Sequence, residues 1–194
     1  MATTDTHVES RPRIADAEYI RESIDQPEAF RNVFQRHHDR IRRYVVSRVG
    51  PQSADDVVSE TFVAAFQARD RFNPDRSTDA APWLLGIATN VIARHRASER
   101  RWLSQCSSEL QTLDVAESFE DDSDARTDAS RSKVSLALAI RRLPSREREP
   151  LLLHISGDLS YDQISAALGI PAGTVASRIN RGRTRLAKWM EKAR

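Results

Sequence analysis

Residues 159–185, LSYDQISAALGIPAGTVASRINRGRTR, constrain the fold of this chain more than any other stretch. Ser160 and Gln163 stand in the S-x-x-Q pattern of a capping box. In that motif the serine hydroxyl accepts the Gln163 N–H and the glutamine side chain reaches back to the cap. Ile164, Ala167 and Leu168 then recur at helical spacing and form one apolar face. Gly169 stands where a left-handed residue ends that helix, and Pro171 where a second helix begins without wasting an N–H. Along the second helix Val175, Ile179, Leu186, Trp189 and Met190 share one side. Thr174, Ser177, Arg178, Asn180, Arg181 and Arg185 occupy the others. A short, sharply bent connection between two such helices is the pattern of a helix-turn-helix, whose second helix enters the DNA major groove.

Capped helix pairs also occur in bundles that bind nothing, and charge favours the DNA reading. From Pro171 to the C-terminus seven basic residues oppose only Glu191, a net +6, whereas the whole chain carries +2. A local basic excess of this kind is the footprint of a phosphate-binding face. With 194 residues and 39% apolar content the chain holds one or two small domains, each with a modest core. No apolar run is long enough to span a membrane, and MATTDTHVESRPR lacks the basic start and apolar core of a secretory signal. A cytoplasmic protein without membrane insertion is expected. The single cysteine, Cys106, permits no internal disulfide, and no glycine-rich phosphate loop occurs. Strand-like alternation is scarce, so an all-α protein is predicted.

Residues 1–24 read as an N-terminal extension, disordered to about Arg13, with a short weak helix over 14–24. Asp25 and Pro27 signal a helix start, followed by an inward face of Phe30, Val33, Phe34, His37, Ile41, Tyr44 and Val45. His37-His38-Asp39 does not make a metal site, because adjacent helical residues point apart. Gly50-Pro51 breaks the chain, and Ser53 is expected to cap a helix whose outer face, Asp55, Asp56, Ser59 and Glu60, is acidic. Residues 69–81, RDRFNPDRSTDAA, carry the punctuation of a loop. Pro82 then opens a helix with Trp83, Leu84, Ile87 and Val91 inward and a basic far end. Asn73 to Ala81 and the Asn90 to Arg96 face carry polar and cationic groups.

From Ser104 to about Ser130 eight acidic residues are opposed only by Arg126, the composition of a flexible linker, expected over 104–132. A second domain, 133–194, begins with Val134, Leu136, Leu138, Ile140 and Leu143. Pro144 and Ser145 open its next helix. Pro150 lies beyond the first turn and predicts a local irregularity there.

These motifs resemble the extracytoplasmic-function group of bacterial RNA polymerase sigma factors, within the sigma-70 family. LPSREREPLLLHISGDLSYDQISAALGIPAGTVASRINRGRTRL is similar to the family's promoter-reading C-terminal domain, and DDVVSETFVAAF and PWLLGIATNVIARHR to two signatures of its N-terminal domain. The resemblance implies two small helical domains joined by a flexible acidic linker: region 2 over 25–103 and region 4 over 133–194. It implies a promoter-specificity subunit that binds core polymerase through its β′ clamp and β flap, recognises promoter DNA at −35 and −10 elements, and does no covalent chemistry. No cofactor or metal is expected, and an anti-sigma factor is a common partner in the family. On this resemblance Thr174, Ser177, Arg178, Asn180, Arg181 and Arg185 contact the −35 element. Asn73, Trp83, Asn90, Arg94 and Arg96 face the −10 element, and Asp56, Glu60 and Phe62 meet core polymerase. Ser59 departs from the family's usual glutamine, Ala176 from a basic residue and Gly182 from alanine. The residues by themselves leave open a free-standing helix-turn-helix regulator that needs no polymerase.

Overall fold

In the computed structural model, residues 15–109 and 136–192 are described, and every regular element among them is helical. The order is α1 (Asp16–Glu22), a 3-10 turn (Pro27–Ala29), α2 (Phe30–Val49), α3 (Ala54–Gln67), a second 3-10 turn (Arg69–Arg71) and α4 (Ala81–Glu109). After the undescribed interval come α5 (136–142), α6 (Ser145–Ile155), α7 (Tyr161–Leu168) and α8 (Ala172–Lys192). The expected disorder up to Arg13 and most of the expected linker lie outside the described residues, although α4 continues through Glu109. Among the described residues no helix is long and apolar enough to cross a membrane.

Helices α2, α3 and α4 bury Val33, Ile41, Tyr44, Val45, Val57, Val58, Leu84, Val91 and Ile92 against one another. These residues recur every three to four positions, so each helix offers one apolar stripe. Gly50 ends α2 at φ 82°, a left-handed backbone that a side chain would strain. Two expected caps are absent. Ser53 precedes α3 without a side-chain cap bond, and Asp25 caps nothing, because the chain enters α2 through the Pro27–Ala29 turn with Gln26 at its N-cap. The short N-terminal helix is predicted as weak, yet Asp16, Ala17 and Ile20 are buried in it.

In the second domain Leu151, Leu153, Leu159, Ile164, Val175 and Ile179 form the interior. The capping box at Ser160 and Gln163 is present with both bonds, and Gly169 is left-handed at φ 65°. Helix α6 differs from expectation, since it runs unbroken through the buried Pro150. The ring enforces a φ that suits a helix, so the loss is confined to one bond to the Arg146 carbonyl, and burial of the ring offsets it.

The domains expected at the two ends of a tether pack directly together. An added Cβ at Gly86 of α4 would lie 2.5 Å from the Ala167 carbonyl oxygen, so α7 rests on α4 backbone to backbone. Arg40 donates to the Gly157 oxygen at 2.8 and 3.1 Å and to the Asp158 oxygen at 3.0 Å. Arg48, its side chain 1% exposed, meets Glu149 of α6 and donates to the Tyr44 hydroxyl at 2.8 Å. Tyr44 lies within 3.0 Å of Thr89, so a buried polar chain crosses from α4 through α2 to α6. Burial raises the Tyr44 phenol above its ordinary value despite the opposing charge of Arg48.

Candidate nucleic-acid interface

The capping box and the Gly169 turn set the direction of α8, and Val175 and Ile179 at zero exposure fix its rotation against the core. Ser177, Asn180 and Arg181 are thereby exposed, while Thr174 and Arg178 are half-buried at the edge of the same face. Arg181 lies along its own helix, with Nε donating to the Ser177 carbonyl at 3.2 Å. Arg185 is engaged differently: its Nε sits 3.2 Å from a carboxylate oxygen of Glu147, a residue of α6 that is 1% exposed. A buried carboxylate needs a paired cation. Part of Arg185 is therefore committed to joining α8 to α6, a role that spacing along α8 did not suggest.

The second candidate surface lies where the 69–81 loop meets α4. A cavity of about 270 Å³ opens there, lined by Arg71, Phe72, Asn73, Arg76, Ser77, Asp79, Pro82, Trp83, Gly86, Ile87 and Asn90. Phe72 and Trp83 stand edge to face with ring centroids 5.2 Å apart. Two arginines, two amides and an aromatic pair can hold a planar, hydrogen-bonding group beside a phosphate. Three of the expected residues, Asn73, Trp83 and Asn90, meet here, and two do not. Arg94 pairs with Glu60 of α3 at 2.9 Å, and half-buried Arg96 donates to the Arg48 carbonyl. Burial and then the nearby charge of Arg48 lower the Arg96 pKa from its ordinary value. Arg76 falls within the expected Asn73 to Ala81 stretch, whereas Arg71 and Phe72 lie just outside it; the aromatic immediately before Asn73-Pro74 is the signal for them. The far wall is formed by Ala166 and Ala167 of α7, so the helix-turn-helix itself borders the cavity.

On α3, Asp56 and Glu60 are exposed as expected, whereas Phe62 is 6% exposed and packs on Phe34 at 4.7 Å between centroids. Its place on the surface is taken by Phe34 and Val63, 40% and 55% exposed.

Residues 33–102 match the family Sigma-70 region 2, and residues 133–186 match Sigma-70, region 4. The probable RNA polymerase sigma-C factor of Mycobacterium bovis is 35% identical over 144 residues, covering 74% of each chain. CarQ, an RNA polymerase sigma factor of Myxococcus xanthus, is 29% identical over 164 residues, 84% of this chain and 90% of its own. The extracytoplasmic-function sigma factor BldN of Streptomyces coelicolor is 28% identical over 171 residues, and the chain spans 63% of its length. Among solved structures, CnrH in complex with the cytosolic domain of CnrY shares the fold, with TM-score 0.64, 24% identity and coverage of 92% and 99%.

Proposed function

The chain belongs to the sigma-70 family of RNA polymerase sigma factors, in its extracytoplasmic-function group, and from that premise we propose that it is a dissociable promoter-specificity subunit. Residues 25–103 bind core polymerase and the −10 element, and residues 133–194 read the −35 element. The observation that carries this reading is the pairing, in one chain and in order, of the region 2 and region 4 matches with an exposed basic helix on the second. Ser177, Asn180 and Arg181 face the major groove, where an amide pairs with adenine and a guanidinium with guanine or phosphate. Thr174 and Arg178 flank them, and Arg185 offers its remaining N–H groups to phosphate. Asn73, Trp83 and Asn90 receive an unpaired base of the opened strand. Arg94 and Arg96 serve this strand only after leaving Glu60 and the Arg48 carbonyl. Asp56 and Glu60 meet a basic surface of core polymerase beside Phe34 and Val63. The protein acts in the cytoplasm and performs no covalent chemistry. Neighbours of known structure include a sigma factor bound to the anti-sigma factor NepR from Bartonella quintana, and a protein of that class is a reasonable partner for this chain.

The test is in vitro transcription from a fragmented genome with core polymerase, with and without the protein, mapping RNA starts. New starts that share two spaced upstream motifs are expected. No new starts, with tight and specific duplex binding by the protein alone, would favour a free-standing regulator.

A further inference from the structure

Helix α1 precedes the residues that match region 2, yet its first residue reaches the cavity loop. Asp16, its side chain 8% exposed, meets three partners in one place. Its Oδ1 takes Arg36 Nη1 at 2.9 Å; its Oδ2 lies 2.7 Å from His37 Nε2 and accepts the backbone N–H of Ala80 at 3.0 Å. One residue on, the Ala17 N–H donates to the Thr78 carbonyl at 3.3 Å. The other end of α1 is tied as well, for Arg69 donates to the Ser23 carbonyl at 3.1 Å. The loop is thus held from outside at Thr78 and Ala80, between the cavity-lining Asn73 and Arg76 on one side and Trp83 on the other.

Ala80 and Ala81 stand at the start of α4, where backbone N–H groups lack helical partners. Asp79 accepts the Ala81 N–H at 2.9 Å from within the loop, and Asp16 accepts that of Ala80 from another helix. Asp16, His37 and Asp79 also have the composition of a metal cluster. The Asp16 oxygens already have donors, however, and the nearest His37 to Asp79 approach is a long 3.9 Å. The arrangement is that of a clasp.

We propose that Asp16 is a positioning residue for strand recognition: by accepting the Ala80 N–H it fixes the loop as one wall of the cavity, and thereby sets which base the cavity selects. This rests on the reading of the cavity as a base-binding site. Selectivity of a hydrogen-bonding site depends on placement to a fraction of an ångström, and a loop released at Ala80 loses that placement.

The test uses holoenzyme assembled from core polymerase and the full chain. It is titrated with fluorescein-labelled single-stranded DNA carrying the non-template −10 sequence of the mapped starts, each position replaced in turn by the other three bases. The wild type should discriminate at one or two positions by on the order of tenfold. Asp16→Ala should reduce this to about threefold or less, with affinity for core polymerase and for −35 duplex unchanged. Asp16→Asn keeps an oxygen for Ala80 but loses the ion pair with Arg36, and should retain the discrimination. A role in stability alone would move both variants together. Asp16→Ser, too short to reach Ala80, replaces Asp16→Ala if that variant does not fold. Deuterium exchange should rise at residues 73–81 in the Ala or Ser variant. Wild-type discrimination in that variant, or exchange rising evenly through α2, α3 and α4, would overturn the proposal. Absence of discrimination in the wild type itself would instead remove the base-binding reading of the cavity, and the proposal with it.

Discussion

Gly86 and Gly182 both stand inside long helices, where replacement of glycine by alanine ordinarily stabilises by about 0.5 to 1 kcal/mol through backbone entropy. Their surroundings differ. At Gly182 the nearest atoms to an added Cβ are the Glu147 carbonyl oxygen and Leu151 Cδ2, both at 3.5 Å, which is ordinary contact. At Gly86 the Ala167 carbonyl oxygen would lie at 2.5 Å, and as a backbone atom it cannot swing aside. Overpacking of this kind costs about 1 to 3 kcal/mol. Gly182→Ala should therefore gain about 0.5 to 1 kcal/mol, and Gly86→Ala should lose about 1 kcal/mol once its helical gain is subtracted. Urea unfolding followed by circular dichroism reads the two values. Strain at Gly86 can also be relieved by parting α4 from α7, so small-angle scattering should show a larger radius of gyration for that variant alone. Equal stabilisation of both variants, with unchanged dimensions, would refute the backbone contact between the domains.

Arg178→Ala or Arg181→Ala should lower affinity for −35 duplex by on the order of tenfold while leaving core binding intact, as measured by anisotropy with labelled duplex. Charge reversal at Asp56 and Glu60 should do the opposite, weakening competition for core polymerase in a pull-down against a labelled sigma factor. Glu149→Ala leaves Arg48 buried without its carboxylate and should cost about 3 kcal/mol in urea unfolding, whereas replacing an exposed acid such as Asp39 should change little. Acid sensitivity should report on Asp16. Burial opposes its ionisation, but bonds from His37, Ala80 and Arg36 outweigh that and hold its carboxyl well below the usual range. A depressed carboxyl contributes stability at neutral pH that is lost as pH falls below about 4. Urea titrations from pH 6 to pH 3 should show a shallower acid limb in Asp16→Asn than in the wild type.

Local chemistry was legible in the sequence wherever partners lie within a few positions. The capping box at Ser160, the left-handed Gly169 and, apart from Phe34, which is expected inward yet 40% exposed, the apolar stripes of α2, α3, α4 and α8 stand as their spacing implies. The failures share a cause. Whether Ser53 caps α3 depends on its backbone, which at φ −97° and ψ 0° is not the extended conformation of a capping residue. Phe62 is a contact by its place in the motif, but Phe34 of α2, 28 residues earlier in the chain, packs on it at 4.7 Å. Arg185 and Arg96 looked free because their acceptors, Glu147 and the Arg48 carbonyl, are distant in sequence. Asp16 was missed for the same reason: a polar N-terminal segment carries no mark of a loop that lies 64 residues away.

The seam between the domains bears unequally on the two proposed DNA-facing surfaces. It is built from Gly86 against the Ala167 backbone, which also borders the cavity, and from Arg40 on the Gly157 and Asp158 carbonyls and Arg48 on Glu149, which do not. Ser177, Asn180 and Arg181 lie outside it and stay exposed, so on the proposed reading the seam leaves the duplex-facing side of α8 uncovered. The cavity instead has Ala166 and Ala167 for one wall, and a strand drawn across its mouth meets α7. Opening the seam gives up the buried Arg48 pair and the contact of α4 with α7, a cost that strand binding at the cavity would have to offset. Duplex recognition should therefore precede strand capture. Variants that loosen the seam away from the cavity, such as Arg40→Ala, should raise affinity for single-stranded −10 DNA and leave affinity for −35 duplex unchanged, and the reverse pattern would place the seam elsewhere.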